Sequence, residues 1–478
     1  MQINLRQASP KPQTLEEAQK VIDALWGFLL KQEERIAALE KQIAELQEKS
    51  RTNSNNSSKP PSTDLGRSKG VAKKMRSGKK AGAQPGHVGR GRELCESHDV
   101  IVQVCPPQPV CECGGAVHRT GLRSRHQNIE LPKIIPVVTE YQVYAGECCR
   151  CGKSHQGRLP PGVRYALIGP GLLALIGTLT GGYRLSKRLT QGLLHDVCGV
   201  RLSLGLISQS EAVISTALGA ITAQAHDYIK AAPVVHCDET GHKECADRHW
   251  MWVAIAGLVS VFLARAGRAT KEAQELLGAS FGGIAVTDRH GAYNWIDTTR
   301  RQLCWAHLLR DFTKIAERSG EDGRIGALLI EHTKRMFRYW HHVKNNELTQ
   351  AGFVQVMDAM TASMEQTLQR GVDTGQSKTA NTCRRLLKAR AALWTFVHTP
   401  GVEPTNNIAE RTIRHYVIWR KISLGTQSVR GSLYAERVMT VVGSCKLQGR
   451  SVLAFMTQAM KAHFGLNPTP SLIPIGVG

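Results

Sequence analysis

From residue 15 to 46 the chain sets apolar side chains at alternating steps of three and four. The series runs Leu15, Ala18, Ile22, Leu25, Leu29, Gln32, Ile36, Leu39, Ile43 and Leu46, with Gln32 its one polar member. A seven-residue period keeps one seam of a helix against a partner and predicts a coiled coil over 13–50. Gln32 would help fix the register, and Arg35 and Glu40 would pair across a parallel dimer. The same stripe could instead pack on its own globule. The strict period and polar flanks favour self-association into a homodimer or higher homo-oligomer.

Residues 53–64 offer nothing a core could bury, and their prolines break any helix. With the Gly-rich basic stretch 67–92 they predict a disordered linker over 51–94. Residues 127–132 and 137–144 alternate like strands. Several helices follow over 160–230. Residues 185–194, a turn at Gly199, a cap at Ser203 and a second helix resemble a helix-turn-helix. DNA contact and plain helical packing both remain open there. At residue 232 the period changes: strands at 234–237, 250–255 and 259–264, a helix at 270–277 and a strand at 283–287. A three-strand meander, a helix and a fourth strand beside the first is the order of a ribonuclease-H-like core. That core would span 231–425, with a helical insertion at about 302–398 and a helical tail over 426–478. The expected fold class is therefore α/β and multidomain.

Composition sharpens the picture. The 478 residues carry 62 Lys and Arg against 39 Asp and Glu, a net charge of +23. So large an excess implies a polyanionic partner and salt-sensitive binding, most simply DNA or RNA. The charge is not confined to one tail. Residues 67–92 hold nine basic residues and no acid, and 401–450 hold eight against three Glu. No apolar run reads as long enough to span a bilayer, and the first residues lack a signal peptide's apolar block. A cytoplasmic location without membrane association is expected.

Seven of the 13 cysteines fall between 95 and 151. In a reducing compartment that clustering argues for metal rather than disulfides. Cys111, Cys113, Cys148 and Cys151 form the best ligand set for a structural Zn²⁺ in a zinc-finger-like, zinc-ribbon-like module over 95–157. Cys105, Cys149, His98 and His118 are rivals. The two pairs would sit at the ends of a hairpin built from the alternating segments.

Three acidic motifs carry the candidate chemistry: Asp238 in His-Cys-Asp-Glu-Thr, Asp288 in Val-Thr-Asp-Arg-His-Gly, and Glu410 in Asn-Asn-Ile-Ala-Glu-Arg. Two acids at the ends of neighbouring strands and one on a packed helix can converge. Converging carboxylates suit Mg²⁺ or Mn²⁺, since hard oxygens bind such ions and bare acids repel one another. Two ions can hold the attacking and leaving oxygens of a phosphoryl displacement. Glu239 and Asp297 are rival acids. Asn406 and Asn407 would cap the Glu410 helix. Arg411, Arg414, Arg420 and Lys421 would touch DNA phosphate. Cys304 and His307, one turn apart, could bind metal but read as packing, and Trp250 and Trp252 read as core.

The order of these motifs resembles the insertion sequence 66 (IS66) family of DDE transposases. The likeness takes in the N-terminal heptad helix, Asn56-Ser-Ser-Lys-Pro-Pro-Ser62, Gln84-Pro-Gly-His-Val-Gly89 and the cysteine pairs. It continues through Asp238-Glu-Thr, Cys304-Trp-Ala-His-Leu-Leu-Arg310, Asn406-Asn-Ile-Ala-Glu-Arg-Thr-Ile-Arg414, Arg420-Lys421 and Lys446-Leu-Gln-Gly449. Two departures are the Arg289-His290 pair before Gly291 and the tight Cys111-x-Cys113 spacing. The resemblance implies that Asp238, Asp288 and Glu410 form a catalytic triad. Asp238 would bridge two Mg²⁺ ions, and the other two acids would each complete one shell. It implies cleavage at transposon ends, then attack of the freed 3′-OH on target DNA. It also implies a prokaryotic, nucleoid-associated setting and small accessory proteins encoded beside the gene. A DNA-binding protein without catalysis, or a nuclease that cuts without joining, would carry many of the same features.

Overall fold

The computed structural model describes residues 12–51, 94–96, 100–102, 104, 109–118, 121–160, 163, 168–375 and 377–474. The expected linker over 53–64, the basic stretch 67–92, Gln84-Pro-Gly-His87 and the rival ligands His98 and Cys105 lie outside them. Helix α1 runs from Leu15 to Arg51. Its heptad residues Leu15, Ile22, Leu25, Leu29, Ile36, Leu39 and Ile43 are exposed, so a single chain leaves this seam bare.

The segment 121–144 forms no strand, against the expected hairpin. Val137 and Val138 stand almost fully exposed there, so no neighbouring surface turns their alternation into a sheet. Two short strands follow instead, β1 (Ala145–Glu147) and β2 (Ser154–Gln156), paired antiparallel.

The centre is a five-stranded sheet. Strands β3 (Val234–Glu244), β4 (Asp247–Ala256) and β5 (Val259–Arg265) form an antiparallel meander. Helix α5 (Thr270–Leu277) then returns the chain to β6 (Ile284–Thr287), parallel to β3. A further strand, β7 (Arg301–Leu303), adds parallel to β6 and completes the order β5-β4-β3-β6-β7. Strand β7 falls where the sequence predicts the helical insertion to begin, and β3 runs past its predicted end at Cys237. Three residues are too few to show a period, and the distal half of β3 mixes polar side chains with glycine.

Both sheet edges are sealed by helices. Along β5, the N–H groups of Ser260, Phe262 and Ala264 donate to Ser444 Oγ (3.0 Å), Thr440 Oγ1 (3.0 Å) and Glu436 Oε1 (2.7 Å). These acceptors lie one turn apart on α12 (Val429–Leu447). The side chains thus replace a missing strand and block pairing with another chain. Gly443 permits the approach, since a Cβ there would fall 2.3 Å from Ser260 Oγ. At the other edge, Gln302 exchanges hydrogen bonds with Phe396 N–H (2.8 Å) and the Leu393 carbonyl (3.1 Å) of α10 (Ala391–His398).

Helices α2 (Pro170–Gly177), α3 (Lys187–Cys198) and α4 (Leu204–Ala231) share one hydrophobic core with the sheet, with α12 and with α13 (Val452–His463). The Gly199 turn (φ +66°) and the Ser203 cap on Leu206 N–H stand where the sequence put them. Helix α4 is, against expectation, long and apolar enough to cross a membrane by length and composition. Its Ile207, Ile214, Leu218, Ile221 and Ile229 are fully buried, and the helix packs on β5, α5 and α12. A second core gathers α6 (Trp305–Ala316), α7 (Gly320–Lys344), α8 (Gln350–Asp373), α9 (Ser377–Lys388) and α10. It meets the sheet through Val286 and Leu303.

Candidate active site

Apolar, β-branched Val234-Val235 starts β3, and the pleat sends alternate side chains to opposite faces. His236, Asp238, Thr240 and His242 share the face covered by α11 (Asn407–Ser423). Asp238 lies mid-strand opposite Val253, not at a strand end. The parallel ladder pairs His236 with Val286, and the same offset brings Asp288 level with Asp238. Strand β6 stops at Thr287 because Asp288 turns the chain: its Oδ1 accepts the His290 N–H at 2.8 Å. Buried Arg301 braces this turn through the Asp288 carbonyl (2.8 Å), Thr287 Oγ1 (2.9 Å) and Asn294 Oδ1 (3.0 Å).

The third acid arrives on α11, which is registered against β3 by side-chain bonds. Asn406 donates to the Cys237 carbonyl (2.6 Å) and meets His236 Nδ1 (3.2 Å). Further along, Tyr416 OH meets His242 Nδ1 at 2.5 Å. Asn406 occupies the cap position but makes no side-chain cap, contrary to expectation. Buried against the sheet, its amide bridges β3 instead, and Asn407 is exposed. This seating brings Glu410, in the first turn of α11, near enough to Asp238 to act on its charge.

Burial first, then Glu239, Asp288 and Glu410, push the Asp238 carboxyl up to about 8. Among the described residues, neither Asp238 nor Asp288 has a basic side chain within ion-pairing distance. The rival Glu239 is already committed: on the opposite face of β3 it accepts from Arg268 Nε (2.9 Å) and Tyr293 OH (2.8 Å). Asp297 caps its own short turn through Thr299 N–H. Trp252 is fully buried, and Trp250 lies between Arg248 and Arg268, whose guanidinium carbons stand 4.8 and 4.6 Å from its ring.

Sequence reasoning undervalued Cys304 and His307. The ligand atoms of Cys304, His307 and Glu410 lie within 4.8 Å of one another, the one such cluster among the described residues. Glu410 Oε1 stands 3.4 Å from His307 Nδ1 and 3.5 Å from Arg310. Both Glu410 Oε1 and His307 Nδ1 are buried atoms without a hydrogen-bond partner. Burial, then Arg310, hold the His307 imidazole below its ordinary value. The spacing of Cys304, His307 and Arg310 put them on one helical face, but spacing could not say what that face meets.

The four candidate zinc ligands form two separate turns. Gly114 N–H returns to the Cys111 carbonyl and Gly152 N–H to the Cys148 carbonyl, both at 2.8 Å. Backbone N–H groups within each turn, Cys113 in the first and Arg150 in the second, and then the second cysteine's thiol hold Cys111 and Cys148 below the usual thiol value. Among the described residues, neither the four thiols nor the carboxylates of Asp238, Asp288 and Glu410 form a group of ligand atoms within 4.8 Å of one another. The second pair sits in the β1–β2 turn rather than on the expected hairpin. Of the basic residues expected on DNA, Arg411, Arg414 and Lys421 are exposed on α11. Arg420 is half-buried, with Nη1 3.4 Å from Thr240 Oγ1.

Comparison with known proteins covers most of this architecture. A family described as "Transposase IS66 family" matches residues 166–433, more than half of the chain. A family of unknown function (DUF6444) matches residues 7–93. An uncharacterized protein of Sinorhizobium fredii, y4qI, is 29% identical over 196 residues, 38% of this chain and 36% of its own length. The chain thus spans about a third of that relative. A second uncharacterized protein of the same organism, y4jD, is 23% identical over 398 residues, 76% of each. The five-stranded sheet, Asp238, Asp288 and Glu410 fall inside the matched span, and the chain belongs to the IS66 family of transposases.

Proposed function

We propose that this chain is a metal-dependent DNA transposase with a ribonuclease-H-like core, cutting and joining strands at Asp238, Asp288 and Glu410. One observation carries the reading. Asp288, from the end of β6, and Glu410, from α11, both disfavour the charge of Asp238 on β3, and Glu410 Oε1 and His307 Nδ1 are buried without a hydrogen-bond partner. Arg310 offsets the charge of Glu410 alone by a direct ion pair, and a hard oxygen set with one imidazole fits Mg²⁺ or Mn²⁺. When bound, the ions would neutralise the acids and polarise the scissile phosphate.

The chain's own residues supply the rest. Asp238, Asp288 and Glu410 hold the ions, with His307 beside Glu410. Asn406 keeps the Glu410 helix seated on β3, and Arg301 keeps the Asp288 turn closed. The exposed Arg411, Arg414 and Lys421 bind phosphates along α11, where they fix the strand without reading its sequence. The bare seam of α1 pairs two chains and so brings two DNA ends together. Cys111 and Cys148, held toward the thiolate, and their partners Cys113 and Cys151 take Zn²⁺ when the two turns are brought together.

The test uses a labelled duplex carrying the element's own end, Mg²⁺, and wild type beside Glu410→Ala. Wild type should cleave and join, and the variant should lose at least about a thousandfold in rate while binding the duplex normally. Equal rates would remove Glu410 from the chemistry. Tight binding without cleavage in both proteins would leave a DNA-binding protein.

A further inference from the structure

Beside the Asp288 turn lies a cavity of about 680 Å³ between the sheet and the end of α9. Four cations line it, Arg289, Arg301, Arg385 and Lys388, and no acid does. Arg289 is neutralised by Asp311 at 2.6 Å. The other three have no ion-pair partner among the described residues. Arg301 is 6% exposed, and its hydrogen bonds all go to neutral oxygens. A buried guanidinium with no ion-pair partner, only partly offset by the nearby Asp288 carboxylate and joined by two exposed cations, makes a positive field in a partly enclosed space.

The remaining wall is apolar. Leu303, Leu386 and Ala389 supply an aliphatic surface, with Asn294 and Thr298 adding polar groups. The volume falls within the range of about 300–1,000 Å³ typical of small-molecule sites. An anionic group joined to a flat, partly apolar ring satisfies such a cavity, whereas a duplex is too large for it. Position narrows the choice, because Arg301 Nη2 donates to the main-chain oxygen of Asp288 itself.

We propose that this cavity takes one unpaired nucleotide of the DNA strand under reaction, its phosphate on Arg385 and Lys388 and its base against Leu303, Leu386 and Ala389. The inference rests on the DNA-processing reading above. Apolar contact with the face of the base and positive charge on the phosphate together can hold an unstacked nucleotide. The pocket would hold the strand beyond the reacting phosphate and so fix which bond lies over the acids.

The experiment measures fluorescence anisotropy with the full chain in chelator. One probe is a blunt labelled duplex; the other is the same duplex with a short single-stranded 3′ tail. Wild type should bind the tailed probe about tenfold more tightly. Arg385→Ala/Lys388→Ala, and separately Ala389→Trp, which fills the cavity but keeps every cation, should both lose that preference. Both should hold the blunt probe within about twofold of wild type, with unchanged melting. Equal affinity of wild type for the two probes overturns the proposal. So does equal weakening on both probes, or a full preference in Ala389→Trp. Chelator removes the chemistry: a retained preference with no cleavage in Mg²⁺ would count against the transposase reading alone, and cleavage without a preference against the pocket alone.

Discussion

Asp238→Asn should stabilise the metal-free protein, although it removes a residue proposed to be essential for activity. Folding raises this carboxyl from 3.8 to about 8, chiefly through burial and then through Glu239, Asp288 and Glu410. Between those values the folded state binds more protons than the unfolded one, so this group's contribution to stability falls as pH rises through the window. At pH 7 the unfolded chain is favoured by about three pK intervals of 1.36 kcal/mol, roughly 4 kcal/mol. Asp238 keeps partial contact with solvent, and screening reduces the working value to about 2 kcal/mol. Asparagine keeps the acceptor that receives Glu239 N–H at 2.9 Å and carries no charge. The melting temperature should therefore rise by about 4–8 °C near neutral pH. Calorimetry in chelator at several pH values tests this: the difference between the proteins should be small near pH 4 and grow toward pH 8. Added Mn²⁺ should raise the wild type more than the variant. An asparagine variant that melts at or below wild type at every pH would refute the electrostatic reasoning.

Three other outcomes follow from the packing. Asn406→Ala removes an amide that is 1% exposed and strands the Cys237 carbonyl and His236, so it should cost about 2–3 kcal/mol in denaturant melts and reduce activity through misplacement of Glu410. Gly326→Ala puts a Cβ 2.2 Å from Ala316 N where α7 crosses α6, so it should destabilise the helical insertion by roughly 3 kcal/mol or more, read as early loss of its protection in hydrogen exchange. Burial, then His249, hold His242 down at about 4, so the folded state binds fewer protons than the unfolded one between about 4 and 6.5. Its stabilising share is complete above 6.5 and disappears as pH falls through that window, opposite in sign to Asp238. His242→Gln should flatten the acid side of the stability profile, and an unchanged profile would exclude His242 as the source.

Much of the chain was legible without coordinates because its signals are local. The α1 heptad, the Gly199 turn, the Ser203 cap and the meander–helix–strand order each depend on neighbours within a few residues. The acidic motifs were legible for the same reason, as short polar interruptions at the ends or middles of apolar segments. Tertiary structure decided what no local pattern encodes. It committed Glu239 to Arg268 and Tyr293, moved Asn406 from capping to bridging, and sealed β5 with the side chains of α12. It carried His307 from a neutral place in a helical pattern to within 3.4 Å of Glu410 Oε1, beside Arg310. It left the expected cysteine hairpin unformed, because alternation makes a strand only where another surface receives it. Sequence period fixes which face of an element is apolar. Which polar group lies opposite it depends on how distant elements dock, and that docking set the charge, burial and hydrogen bonding of the site.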